Sequence, residues 1–194
     1  MGKNRLEAFS DGVLAIIITI MVLEFRVPQG DSIAALKPLL PVLLSYVLSF
    51  VYLGIYWNNH HHMLFACQKV SGQVLWANLH LLFWLSLLPF ATHWMGESPR
   101  SPLPSALYGV ILLGAAIAYW LLQQAIIAAE GAGSVLAAAV GRDWKGKLSP
   151  VLYLAGIAST AWLPWVAQGF YAFAAILWIV PDRRIEHALS NRET

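Results

Sequence analysis

Charge is what this sequence has least of. Twelve lysines and arginines and ten aspartates and glutamates make up only 11% of its 194 residues, against 59% hydrophobic residues and a mean hydropathy of +0.64. So little charge is far outside the usage of a soluble domain, and bilayer solvent is the simplest explanation. The net charge of +2 is too small for a nucleic-acid binder, and the basic residues stand in ones, twos and threes at the edges of apolar runs rather than in a patch. Nucleic acid is therefore excluded as a partner. Cysteine is nearly absent: Cys67 stands alone without a CxxC context, so it forms no internal disulfide, offers no metal site and reads as small apolar packing. Long polar stretches are missing too. The connections around Gly96–Pro104 and Glu130–Lys147 are too short to bury a core, which excludes a soluble domain. Behind the first apolar run there is no A-x-A cleavage pattern, and Glu7 and Asp11 stand where a signal peptide has a basic start and a clean apolar centre. No internal repeat is found.

What the chain has in abundance is apolar runs long enough to span a bilayer, which takes roughly 20 residues of helix. Charge, Pro, Gly and Asn clusters divide it into spans at about 4–25, 38–65, 70–94 and 103–129. The run Leu148–Val180 is too long for one span without a large tilt, and Pro164 with Gly169 interrupts it, so it divides into 148–164 and 166–181. The expected architecture is all-α: a single polytopic membrane domain, 1–194, with six transmembrane helices. Basic residues test its orientation, because they accumulate on cytoplasmic segments. With both termini inside, the cytoplasmic side holds Lys3, Arg5, Lys69, Arg142, Lys145, Lys147, Arg183, Arg184 and Arg192, and the outer side only Arg26, Lys37 and Arg100. Five spans would put the last three arginines outside. The Ala- and Gly-rich segment Ala128–Val140 reads as a surface helix or loose linker.

The first span carries the chemistry. It opens Arg5-Leu6-Glu7-Ala8-Phe9-Ser10-Asp11 and so takes two carboxylates and an arginine toward the membrane. Ionisable groups at that depth are expensive, face protein or water, and are functional candidates by default. At about 100° per residue, Arg5, Phe9, Gly12, Ile16, Thr19, Ile20 and Leu23 share one stripe. Ser10 and Asp11 point toward neighbouring helices, where a hydroxyl and a carboxylate make interhelical hydrogen bonds. Periodicity alone makes the stripe a surface for lipid or ordinary packing.

The pattern Arg5-x-x-x-Phe9-Ser10-Asp11 followed by an Ile-rich helix resembles the signature of the transmembrane protein 175 family, the potassium channels of endosomes and lysosomes and their prokaryotic relatives. The resemblance implies a potassium channel in which first helices surround a central pore without a TVGYG-type filter, a stretch this sequence lacks. Because the signature occurs once, the implied assembly is a homotetramer, which closed cyclic symmetry makes natural. The implied constriction is Ile16, the fifth residue after Asp11, with Ile20 and Leu23 as further apolar rings gating by dewetting. Thr19 is the candidate hydroxyl for potassium preference, and Glu24 a candidate cation concentrator at the outer mouth. The expected setting is a bacterial plasma membrane, with no cofactor and with potassium as the permeant ion. The Phe-Ser-Asp residues are expected to hold the pore helix against the second and third helices. Their candidate partners are Asn58, His61, His62, Trp76, Asn78, His80 and Trp84, with His80 the first choice.

Three rival readings remain beside the channel. Asp11 and the histidines, His80 above all, suit a proton-coupled transporter, although no inverted repeat or pair of broken helices supports one. A metalloenzyme would draw on His60, His61, His62 and His80, but adjacent histidines on a helix diverge by about 100°. A structural membrane scaffold is the third. Tryptophans 94, 144, 162, 165 and 178 lie near expected span ends and read as interfacial anchors.

Overall fold

A computed structural model describes residues 2–131, 134, 136–137 and 144–179. Outside the described residues lie Arg142, Arg183, Arg184 and Arg192, positions 132, 133, 135 and 138–140 of the linker, and the end of the sixth expected span at 180–181. Among the described residues the chain is α-helical with no strand: α1 (Lys3–Leu23), a short 3-10 turn (Ile33–Leu39), α2 (Leu40–Ala66), α3 (Gly72–Ser86), α4 (Leu88–Glu97), α5 (Pro102–Glu130), α6 (Trp144–Ser159) and α7 (Pro164–Ile179).

Helices α3 and α4 follow one another through the single residue Leu87, so the two form one rod interrupted there, and the described residues make six rods. The interruption has a local cause. Pro89 carries no N–H for the preceding turn, and Ser86 donates its hydroxyl to the Phe83 carbonyl at 2.7 Å. The apolar run there is continuous, which is why the sequence reads as one uninterrupted span. Four rods, Lys3–Leu23, Ile33–Ala66, Gly72–Glu97 and Pro102–Glu130, are long and apolar enough to cross a membrane. Helices α6 and α7 are 16 residues each, or about 24 Å at 1.5 Å per residue. A turn over residues 160–163 separates them, and Pro164 opens α7 at a position where its missing N–H costs nothing.

Helix α1 rests on α2, α3 and α4, while α5 packs on α3, α4, α6 and α7 at the back of the bundle. The interior is close-packed around Tyr52, Leu53, Leu81, Leu85, Tyr108 and Tyr171. Small residues let the rods approach. A Cβ at Gly114 would lie inside the Trp84 indole, and one at Gly109 would collide with the Tyr171 hydroxyl, as expected where helix association depends on packing rather than on hydrophobic exclusion. Buried hydroxyls find partners inside the bundle: Ser49 bonds Thr92 at 2.6 Å and Tyr108 at 2.9 Å, and Tyr52 donates to the Tyr171 carbonyl at 2.6 Å.

Two hydrogen bonds and one ion pair identify the ends of the bundle. Lys3 Nζ donates to the Phe65 carbonyl at 2.7 Å, and the Gln68 N–H to Glu130 Oε1 at 2.9 Å, so the start of α1 and the ends of α2 and α5 share one end. At the other, Arg26 meets Glu97 at 4.0 Å.

Candidate functional site: the first helix and its supports

Helix α1 has two faces of different fate. Leu6, Ser10, Leu14, Ile17 and Met21, spaced at helical intervals, are buried against α2, α3 and α4. Arg5, Phe9, Gly12, Ile16, Thr19, Ile20 and Leu23 are all exposed. Ile16 is 58% exposed and Leu23 80%, a contiguous apolar stripe of the kind that marks a lipid or protein contact. The described chain thus leaves uncovered the face that the sequence set apart.

The buried face is fixed by polar contacts as well as packing. Ser10, fully buried, donates its hydroxyl to the Leu6 carbonyl at 2.9 Å. It accepts from the Asn78 amide on α3 at 3.0 Å, and Asn78 Oδ1 in turn meets His60 Nε2 of α2 at 2.7 Å. One hydroxyl therefore joins three helices. Asp11 accepts from the Trp57 indole N–H at 3.0 Å, and Glu7 lies 3.2 Å from His61 Nδ1. Both carboxylates are four residues apart on α1, and both partners four apart on the antiparallel α2, so the two contacts form successive rungs one helical turn apart.

This arrangement corrects the expected partner. His80 meets neither Ser10 nor Asp11: it is exposed, and its Nε2 accepts from the Trp84 indole one turn along the same helix at 3.0 Å. Two residues separate it from Asn78, or about 200° around α3, so only one of the two can face α1. Trp57, which was not among the candidates, takes Asp11; its signal was the four-residue spacing to His61 matching that of Glu7 to Asp11.

Histidines 60, 61 and 62 diverge as neighbours on a helix must: His60 to Asn78, His61 to Glu7, and His62 edge-on to the His61 ring at 5.7 Å. Among the described residues no group of three His, Cys, Asp or Glu side chains is placed to hold a metal ion. Asp11 and His80, the pair a proton-coupled transporter would use, each have a different partner.

Along the exposed stripe, the Thr19 hydroxyl donates to the Ile16 carbonyl at 2.9 Å. Its proton is committed to the helix while its oxygen remains an acceptor. Near the C-terminal end of α1, a crevice of about 740 Å³ opens between α1 and α4, with Ile16, Ile20, Phe90 and His93 in its walls. Glu24 lies 3.9 Å from His93 there.

Residues 5–89 match the family model described as endosomal/lysosomal potassium channel TMEM175. The chain is similar to a protein of Chryseobacterium sp. (strain P1-3) named a potassium channel, with 54% identity over 98% of this chain and 100% of that one. A crystal structure described as a lysosomal potassium-selective channel TMEM175 homolog, from Chamaesiphon minutus, superposes with a TM-score of 0.80 at 28% identity, covering 93% of this chain and 97% of that one. An endosomal/lysosomal proton channel TMEM175 of Danio rerio is 35% identical over 52% of this chain and 22% of its own length.

Proposed function

The chain belongs to the endosomal/lysosomal potassium channel TMEM175 family, a family of ion channels and not of enzymes, and from that premise we propose that it is a potassium channel whose pore is lined by the exposed stripe of α1 in a ring of four copies. One observation carries this reading: α1 is held firmly on one face by Ser10, Asp11 and its leucines, yet leaves Phe9, Ile16, Thr19, Ile20 and Leu23 uncovered on the other.

Four copies of that face around an axis bring four Ile16 side chains together as the constriction. Ile20 and Leu23, one and two turns outward, add further apolar rings. Branched side chains closing on an axis expel water, so the shut state is a dewetted barrier and opening needs only a modest rotation or splaying of α1. Thr19 lies between these rings. Since its proton is engaged by the Ile16 carbonyl, its lone pairs are left for a partly dehydrated cation, the source proposed here for potassium preference. Glu24 at the wider mouth adds negative potential there.

The supports keep the stripe aimed at the axis. Buried Ser10 and the two carboxylate rungs oppose rotation of α1 about its own axis, so Arg5, Phe9, Ser10 and Asp11 act on orientation rather than on the ion. Cyclic symmetry closes the ring with one type of interface, and the crevice between α1 and α4 is where a neighbouring subunit packs. Both termini are assigned to the cytoplasm of a bacterial plasma membrane. Among the described residues, Lys3, Arg5, Lys69, Lys145 and Lys147 stand toward one end of the bundle and Arg26, Lys37 and Arg100 toward the other.

A second reading, proton permeation, is favoured by the name of the Danio rerio relative. Ion flux from liposomes tests both. Wild type is expected to pass potassium in preference to sodium and to have the mass of four chains. Ile16→Asn, which wets the constriction, is expected to raise flux or weaken selectivity. A protein that conducts nothing, or whose flux needs a proton gradient and ignores Ile16, contradicts the potassium reading.

A further inference from the structure

A second cavity lies away from α1, at the back of the bundle. It measures about 480 Å³, within the roughly 300–1,000 Å³ typical of ligand pockets, and is walled by α2, α5, α6 and the end of α7. Its deep end is aromatic and aliphatic, with Tyr52, Ile55, Tyr56 and Tyr153. Its mouth lies at the end of the bundle where α6 begins and α7 finishes, and carries Lys147, Ser149 and Trp178.

Two features of the lining point to an occupant. The first is Gln123. Its side chain is buried, with 5% of the residue exposed, and it lines the cavity, yet its carboxamide bonds to none of the described residues. Its amide is open to the cavity it lines rather than sealed from it, so a group there with an oxygen acceptor or a polar hydrogen can take up its unused hydrogen-bonding capacity. The second is charge. Among the described residues that line the cavity, Lys147 is the one charged side chain. The Trp178 indole, which donates to Ser149 at 2.7 Å and lies under the Lys145 ammonium at 5.9 Å, frames the same mouth.

We infer that this cavity holds one acyl chain of an anionic phospholipid from the leaflet at that end, with the phosphate at Lys147 and a glycerol ester carbonyl accepting from Gln123. The order of groups fits the order of a lipid. Cationic and indole groups mark the headgroup level. Gln123 lies seven residues before the end of α5, about 10 Å inward, where ester oxygens follow the headgroup. Beyond it the walls are apolar, as an acyl chain requires. The site abuts the side of α2 away from α1, whose Trp57, His60 and His61 hold the first helix, so an occupied cavity braces that support from behind.

The test is lipid retention by the full, delipidated protein in native mass spectrometry, with phosphatidylglycerol and phosphatidylcholine of matched chains as probes. Wild type is expected to keep one phosphatidylglycerol per chain and less phosphatidylcholine. Lys147→Gln should weaken phosphatidylglycerol about fivefold, as expected for one surface cation. Gln123→Leu should weaken it about three- to tenfold, the range for one hydrogen bond, and Ala116→Trp, which fills the cavity, should abolish it. Should Ala116→Trp fail to fold, Gln123→Leu decides, since that replacement removes no bond within the protein. Equal retention of the two lipids, no retention by wild type, or phosphatidylglycerol retention unchanged by all three substitutions overturns the inference. None of these outcomes depends on whether the protein conducts ions.

Discussion

Asn78 and His80 stand two residues apart on α3 and do opposite things. Asn78 links Ser10 of α1 to His60 of α2 in a buried chain, while His80 is exposed on the far side. Replacing Asn78 by Leu leaves the His60 ring without its partner and takes from Ser10 the donor its oxygen accepts, while Ser10 keeps its bond to the Leu6 carbonyl, at about 1–3 kcal/mol for a buried unsatisfied group. His80→Leu removes only a contact along its own helix and should stay within about 0.5 kcal/mol of wild type. Thermal unfolding of the two variants in detergent, followed by circular dichroism, is expected to show that order; the reverse order would return His80 to the supports. Cys67 allows another check. It sits just past α2, fully buried, and burial pushes its thiol pKa up. The unreactive thiol then predominates at neutral pH. Labelling by a small maleimide at pH 7 should therefore be much slower than for the unfolded chain, and should quicken as the pH is raised; immediate labelling at pH 7 would place Cys67 at an open surface. At this scale the sequence made Ser10 and Asp11 legible as polar groups that need partners, and Asn78 stood among the candidates. Which candidate faces α1 depends on the rotation of α3 about its axis, and apolar residues on nearly every side of that helix leave it unreadable. Trp57 stayed hidden because an indole on a membrane helix reads first as an interfacial anchor.

Between elements, glycine sets the distance. The Trp84 ring fills the space that a side chain at Gly114 would need, so α3 and α5 approach as closely as they do only because Cβ is absent. Gly114→Ala should push the helices apart or turn the indole, destabilising the bundle by about 1–3 kcal/mol. Gly54→Ala is the matched control, because nothing lies within 4 Å of a Cβ there and alanine favours the helix by up to about 1 kcal/mol. Melting temperatures moving in opposite directions would support the packing; a neutral Gly114→Ala would refute it. The helical rods themselves were legible from hydropathy, charge and Pro164, since bilayer thickness dictates their length. The break at Leu87 was not, because Pro89 and Ser86 interrupt the helical hydrogen bonding without adding charge or breaking the apolar run.

For the whole molecule, division of labour follows from which helices touch α1. The family model ends at residue 89, so it covers α1, α2 and α3, which carry every contact to Glu7, Ser10 and Asp11 described above. Helices α5 to α7 back that unit and build the second cavity with α2. The all-helical architecture could be read from the sequence; among the described residues four helical rods are long and apolar enough to cross a membrane. That α1 leaves its stripe uncovered emerged only once the other face was seen packed, because periodicity describes a pore lining, a lipid face and a subunit contact in the same terms.

Silver-ion block of potassium flux through Ile16→Cys measures pore lining most directly. The native chain serves as a quiet background because Cys67 is buried, and Leu14→Cys, on the packed face of the same helix, is the control. Fast block of Ile16→Cys with little effect on Leu14→Cys or wild type is the predicted result. Block at Leu14→Cys with none at Ile16→Cys would mean that the exposed stripe faces lipid and that ions take another route.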